Sequence, residues 1–137
     1  MEKKNVYVRA YEVVCEMPHV LELVRAHDRK LADQMKRACQ SVLLNIAEGR
    51  GNKEGNAKLR FATACGSAKE VRAALAIARE WGYIPAKQAR HLDAQLDPVC
   101  AITWCLSRQR PESRQDIAQI SSSARSTLAA TELPTYP

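Results

Sequence analysis

The sequence has few aromatic residues and few glycines. Aromatic side chains make up 5% of its 137 residues, and there are 5 glycines. Sheet proteins favour aromatic and β-branched residues separated by glycine-rich turns, so this composition argues against a β fold. With 46% hydrophobic residues, a chain of this length can bury one core of Leu, Val, Ile and Ala. We therefore expect a single all-α domain.

The sequence also lacks a long apolar run. No stretch approaches the roughly 18 residues that cross a bilayer, and the charged start at residues 1–7 has no signal-peptide apolar region. We expect a cytoplasmic protein without a membrane partner.

Metal and catalytic motifs are missing as well. The five cysteines are an odd number without a Cys-x-x-Cys pair, and the three histidines lack metal-ligand spacing. Glu12 and Glu16 are four residues apart, a pattern typical of a solvated helix face. We expect reduced core cysteines, no metal, no cofactor and no catalytic residues, and thus no enzyme.

Four segments have apolar residues at every third or fourth position, which predicts four helices. Their expected bounds are about residues 8–26, 29–48, 57–81 and 85–108. We expect Pro18 to kink the first helix or divide it in two, and Pro98 to bend the fourth. Asp28 should cap the start of the second helix with its carboxylate. Gly49 should end that helix in the left-handed conformation, and Gly82 should stop the third. Residues 50–56 have the composition of a loop between helices.

Short connections between four helices predict an antiparallel, up-and-down four-helix bundle. We place this domain at residues 1–110. Beyond it the apolar pattern fails, and residues 111–137 are polar and rich in serine. That composition predicts a flexible C-terminal tail.

Positive charge is concentrated in the middle of the chain. The whole sequence carries +6, but residues 29–79 contain 11 basic and 4 acidic residues and so carry +7. An anionic partner such as nucleic acid, RNA or DNA, is the simplest explanation. The candidate nucleic-acid-binding residues are Lys30, Arg37, Arg50, Lys53, Lys58, Lys69, Arg72 and Arg79.

Four of the five basic residues of the third helix form one face. At 100° per residue, its four candidates span about 80°. The alternative is an ordinary solvated face moderated by Glu70 and Glu80. Phe61 is the only aromatic residue of the basic segment before Trp81, and it is predicted to face the core. Stacking on bases and base-specific recognition are therefore not expected.

Three residues inside the predicted helices break local rules. Gly66 lies in a helix interior, where glycine costs about 1 kcal/mol, so we expect it to permit a close helix approach. Asn45 and Ser67 are expected to satisfy a buried polar contact or to set helix register. We favour these structural roles over ligand binding, because polar groups near a core are usually satisfied locally.

Two short motifs stand about 17 residues apart. Asn-Ile-Ala-Glu-Gly ends at Gly49, and Gly-Ser-x-x-Glu begins at Gly66. With residues 31–38, Phe61 and residues 82–84, they resemble the family of proteins encoded in intervening sequences of bacterial 23S ribosomal RNA genes. The accessory variability determinant of diversity-generating retroelements is similar. The resemblance covers about residues 28–106, and its structural motif residues are Asn45, Glu48, Gly49, Gly66, Ser67 and Glu70.

The resemblance implies an antiparallel bundle that assembles as a ring-like homopentamer, with a positively charged surface for nucleic acid and no enzymatic activity. In the retroelement relatives the partner is a reverse transcriptase. The chain departs from the commoner pattern in its short connection before Asp28 and at Leu43-Leu44, where many members have proline. The leading hypothesis is an oligomeric nucleic-acid-binding bundle. The alternative is a protein-interaction scaffold that uses the alanine-rich faces of the first and fourth helices.

Overall fold

The computed structural model describes residues 3–51 and 56–108, which form four α-helices and, within these ranges, no strand. The helices are α1 (Val6–Arg25), α2 (Arg29–Gly51), α3 (Asn56–Glu80) and α4 (Ala86–Ser107). Each packs against its neighbours in the chain, and α4 returns to pack against α1. This is the predicted up-and-down four-helix bundle, in which α2 and α4 stand diagonally opposite. The predicted tail, the domain boundary at residue 110 and Lys53 lie outside the described residues.

The core is aliphatic and uses one stripe from each helix. The inward stripe is buried in α2 (Leu31, Met35, Ala38, Val42 and Ile46) and in α3 (Phe61, Ala64, Cys65, Ala68, Val71, Leu75 and Ala78). The stripes of α1 and α4 are buried or packed against the core. Small residues such as Ala32, Ala64 and Ala68 are fully buried, which lets the helix backbones approach closely. None of the four described helices is long and apolar enough to cross a membrane.

Side-chain caps fix the starts of the first two helices. The Asn5 side chain accepts a hydrogen bond from the Val8 N–H at 2.9 Å. Asp28 accepts one from the Leu31 N–H at the same distance, 2.9 Å, which confirms its predicted role as N-cap of α2. The short connection between α1 and α2 is therefore closed by a cap.

Proline does not divide α1. The helix runs without interruption through Pro18, as α4 does through Pro98, so the expectation of two shorter helices at Pro18 is wrong. Met17, Val20 and Val24 on either side of this proline are all buried in the core. Their packing outweighs the single hydrogen bond that proline removes.

The two glycines predicted to end helices behave differently. Gly82 has a φ of 75°, and the Tyr83 N–H donates to the Ala78 carbonyl at 2.8 Å. This is a Schellman ending, as expected of a helix-stop glycine. Gly49, by contrast, lies inside α2, which continues to Gly51. Its predicted left-handed ending, and the assignment of residues 50 and 51 to a loop, are wrong.

Candidate nucleic-acid interface

The structure separates the candidate basic residues into two groups. On α3, Lys69, Arg72 and Arg79 line cavities that α4 also borders, and Lys58 shares their face by the helical period. The α2 residues Lys30 and Arg37 are exposed on the helix diagonally opposite α4, and Arg50 stands 5.5 Å from the ring centroid of Tyr7 on α1. The candidates of α2 therefore stand apart from those on the α4 side of α3.

Arg72 is held by two aspartates of α4. Its Nε donates to Asp93 Oδ1 at 2.8 Å, and its Nη2 donates to Asp93 Oδ2 at 3.1 Å. Its Nη1 donates to Asp97 Oδ1 at 3.1 Å. The bidentate hydrogen bond to Asp93 raises the pKa of Arg72 above its usual value, against an opposing effect of burial. Arg72 therefore fastens α3 to α4, and its charge is largely met inside the protein.

Two cavities follow one another along the groove between α3 and α4, which we call the α3–α4 groove. The first has a volume of about 390 Å³ and is bordered by Arg79 of α3 and Arg90 of α4, over a floor that includes Leu75 and Ala89. Arg79 lies 3.5 Å from the Glu80 carboxylate. Arg90 is exposed and has no ion-pair partner among the described residues.

The second cavity, with a volume of about 310 Å³, lies further along the same groove. Lys69 and Gly66 of α3 line one side, and Trp104 and Arg108 line the other. The Arg108 guanidinium stands 4.6 Å from the centroid of the Trp104 ring, within the range of a cation–π contact. The groove thus has cations on both of its walls at both cavities.

Sequence reasoning missed the contribution of α4 to this groove. Arg90 and Arg108 lie beyond the basic segment, and α4 has equal numbers of basic and acidic residues. Trp104 lies 35 positions after Lys69 in the sequence and meets it only because α3 and α4 are antiparallel neighbours. By the helical period, Arg90 and Trp104 lie on the same side of α4, the side that faces α3. This shared side is the only feature of the sequence that could have identified them.

A polar network crosses the interface between α2 and α3. The Ser41 and Ser67 hydroxyls are 2.7 Å apart, and Asn45 Nδ2 donates to the Ser41 carbonyl at 2.8 Å and to its hydroxyl at 3.0 Å. Beside it, Arg60 Nε lies 2.8 Å from a carboxylate oxygen of Glu48. Asn45 Oδ1 also accepts from Arg60 Nη1 of α3 at 3.5 Å, so the half-buried Asn45 and Ser67 both have the local polar contacts expected of structural residues.

Neither motif glycine has the role that was predicted for it. A Cβ at Gly49 would lie 2.9 Å from Phe61 Cζ, so the close approach of α2 and α3 is at Gly49. A Cβ at Gly66 would meet nothing within 4 Å. The prediction that Gly66 permits a close helix approach is wrong, because its open side faces the second cavity of the groove. Glu70, the last motif residue, is exposed on α3.

The paired motifs, the bundle around them and residues 2–104 match the family described as 23S rRNA-intervening sequence protein. The chain belongs to this family. The match begins ahead of α1 and ends at Trp104, so it includes both cavities of the groove except Ser107 and Arg108. No curated protein and no solved structure matches the chain.

Cysteine and histidine form no metal cluster in the described part of this family member. Residues 3–51 and 56–108 contain no group of three or more His, Cys, Asp or Glu side chains placed to hold a metal. All five cysteines are free, and Cys39, Cys65 and Cys100 are buried as predicted. Cys15 is exposed, so its assignment to the core is wrong. His91 Nε2 lies 3.0 Å from a Glu16 carboxylate oxygen and joins α4 to α1.

Proposed function

We propose that this 23S rRNA-intervening sequence protein is a non-enzymatic, cytoplasmic protein that binds the phosphate backbone of nucleic acid along the α3–α4 groove. The observation that carries the proposal is the placement of cations on both walls. Arg79 and Lys69 come from α3, Arg90 comes from α4, and Arg108 directly follows α4 as its C-cap. An anionic strand lying between the two helices would meet positive charge on either side, which favours phosphate over neutral ligands.

The acidic residues of the groove do not cancel this attraction. Asp93 and Asp97 both direct carboxylate oxygens at the Arg72 guanidinium, so Arg72 balances one of their two negative charges. The four other cations that line the two cavities outnumber the charge that remains. Arg79 and Arg90 are exposed and line the first cavity, and Arg79 has the exposed Glu80 carboxylate at 3.5 Å. Arginine suits this role because its planar donors match phosphate oxygens. Such contacts fix the position of a strand without reading its sequence.

A charge-neutralising variant tests the groove. Arg79→Gln with Arg90→Gln removes one cation from each wall, and a matched control, Lys30→Gln with Arg37→Gln, removes two exposed cations from α2. We expect the groove variant to weaken binding of a structured RNA and a DNA of equal length about tenfold or more at low salt. Its plot of log affinity against log salt should flatten by about 0.7 to 0.9 per lost phosphate contact. Electrophoretic shift titrations at several salt concentrations measure both quantities.

The α2 control variant shows which of the two surfaces binds the nucleic acid. A loss confined to the α2 variant would place the interface on Lys30 and Arg37, and equal affinities for both variants would remove the groove as the site. Absence of any binding at low salt would overturn the nucleic-acid role. In that case the protein-interaction scaffold becomes the better description.

We also propose that the chain self-associates through the outer face of α3, as the ring-like homopentamer that the resemblance implies. Leu59, Ala73 and Ile77 lie within about 40° on this face by the helical period, and all three are exposed. Leu59 remains 64% exposed and Trp81 65% exposed, which is unusual for large apolar residues on one side of a lone bundle.

Light scattering tests this assembly. We expect the wild-type chain to have a mass several times that of one chain, and Ala73→Glu to shift it toward the monomer by placing a charge in the apolar contact. Ala47→Glu, on the exposed side of α2, is the matched control. A wild-type protein with the mass of a single chain would overturn the proposal.

An accessory role beside a reverse transcriptase is a further proposal that rests on the resemblance to the retroelement proteins. Co-expression with a reverse transcriptase encoded beside the gene, followed by affinity purification, tests it directly. Retention of the enzyme by the wild-type chain, at near-stoichiometric yield, is the expected result. A gene placed inside a 23S ribosomal RNA gene, with no reverse transcriptase nearby, would contradict it.

A further inference from the structure

The second cavity of the α3–α4 groove combines an aromatic ring with two cations. Trp104 is half-buried, and its ring is covered on one side by the Arg108 guanidinium at 4.6 Å. Lys69 borders the cavity from the opposite helix. Backbone binding alone requires only the cations, so the tryptophan is a feature that phosphate contact does not explain.

Gly66 opens the wall of the cavity opposite the tryptophan. No heavy atom lies within 4 Å of the position that a Cβ would take, although glycine is unfavourable inside a helix. Ala62, another small residue of α3, lines the same wall. At about 310 Å³, the cavity lies at the lower end of the roughly 300–1,000 Å³ typical of small-molecule sites. It is therefore suited to one flat group and not to an extended ligand.

We propose that this cavity receives one unpaired nucleobase of a single-stranded nucleic acid, stacked on Trp104, with the adjoining phosphate between Lys69 and Arg108. The inference rests on the proposed function, since it assigns a base to the same groove that binds the backbone. It goes beyond that function by specifying single-stranded over fully paired nucleic acid.

The chemistry of the cavity favours a base over other flat groups. Every base has a π-face that stacks on an aromatic side chain, and each base carries an anionic phosphate that the two cations attract. The Arg108 guanidinium can also contact the base, because guanidinium planes stack on bases as aromatic rings do. Bases within a duplex have both faces covered by their neighbours and cannot enter.

Tryptophan fluorescence reports directly on the site. The chain contains two tryptophans, and Trp81 is exposed away from the cavity, so Trp81→Phe leaves Trp104 as the only reporter. We expect a single-stranded oligonucleotide to quench Trp104 emission on binding. An oligonucleotide of the same length and charge with abasic sites, and a fully paired duplex, should bind on the order of tenfold more weakly and quench little. Trp104→Phe, which leaves Trp81 as reporter, should show no such quenching.

A second variant fills the cavity with a side chain. Gly66→Leu places a side chain into the open space of the cavity, and leucine is a far better helix residue than glycine, so the bundle should fold and keep its charge. By the helical period Gly66 shares the outer face of α3 with Leu59 and Ala73, so light scattering has to show that the variant keeps the wild-type mass. We expect this variant to lose the preference for the intact single strand over the abasic one. Ala47→Leu, an exposed substitution on α2, is the matched control and should keep the preference.

The outcomes separate this inference from the function on which it rests. Binding that depends on Arg79 and Arg90 but shows neither quenching nor discrimination against the abasic strand would overturn the base site alone. A preference for duplex would overturn it as well. Failure to bind any of the three nucleic acids at low salt would overturn both the base site and the proposed function.

Discussion

Gly49 of α2 lies against the ring of Phe61 of α3. A Cβ at residue 49 would come within 2.9 Å of Phe61 Cζ and within 3.0 Å of Phe61 Cε1. The Phe61 side chain is itself 7% exposed, so its ring has little room to move away. This contact fixes the spacing of α2 and α3 near the ends that the chain joins through residues 52–55.

Gly49→Ala should therefore destabilise the bundle. The methyl group overpacks the Phe61 ring at a cost of about 1 to 3 kcal/mol, which exceeds the gain in helix propensity of up to about 1 kcal/mol. Gly66→Ala is the matched control, because it makes the same helical substitution in open space and should stabilise by about 0.5 to 1 kcal/mol. Urea unfolding followed by circular dichroism measures both changes, and stabilisation by both substitutions would contradict the close contact.

Arg72→Gln should lower stability by about 1 to 2 kcal/mol, because it leaves Asp93 and Asp97 close together without their shared cation. Arg72→Lys keeps the charge but not the bidentate geometry, so its loss should be intermediate. Arg79→Gln removes a cation whose partner is exposed, and should change stability by less than about 0.5 kcal/mol. Equal unfolding midpoints for the Arg72→Gln and Arg79→Gln variants would show that the aspartate contacts contribute little.

The hydroxyl of Ser67 should contribute to the junction of α2 and α3. Ser67→Ala leaves the half-buried Ser41 hydroxyl without its partner on α3, and should cost about 0.5 to 1.5 kcal/mol. Thr63→Ala removes a hydroxyl that donates only to Leu59 within its own helix, so it should be nearly neutral. A thermal unfolding comparison of the two variants checks this, and a larger loss from Thr63→Ala would contradict it.

Buried cysteines should be alkylated more slowly than exposed ones. Burial raises the pKa of Cys39 to about 11 and that of Cys100 to about 11, so near pH 8 about one thiol in a thousand is the reactive thiolate. Cys15 is exposed and should be the first residue labelled by iodoacetamide, with one adduct by mass spectrometry. In denaturant all five cysteines should react. Rapid native labelling of Cys39 would show that the core opens far more readily than its packing suggests.

The inward stripes were predictable because a helix repeats its facing direction every 3.6 residues. Leu31, Met35 and Ile46 needed only that period to be placed in the core. The ends of α2 were harder. Asp28 has a side chain that caps the helix locally, so its role was readable, whereas Gly49 met the local requirements of a helix end but is held inside the helix by contact with Phe61.

Only the α3 wall of the candidate site could be predicted from the sequence. Lys69 and Arg79 were found because they lie in a segment of excess positive charge, but Arg90 and Trp104 lie on a helix with balanced charge and gave no compositional signal. The motif residues Asn45 and Ser67 stood out because polar groups near an apolar stripe need partners. Which partners they have depends on the facing helix.

The four helices, their apolar faces and the basic character of the middle of the chain could be read from the sequence, since each follows from local periodicity and composition. Which basic residues lie together depends on how the helices pack. The antiparallel packing of α3 on α4 pairs Arg72 with two aspartates, brings Arg90 opposite Arg79, and sets Trp104 beside Lys69. These relationships depend on distances between residues far apart in the chain, and a one-dimensional pattern does not contain them.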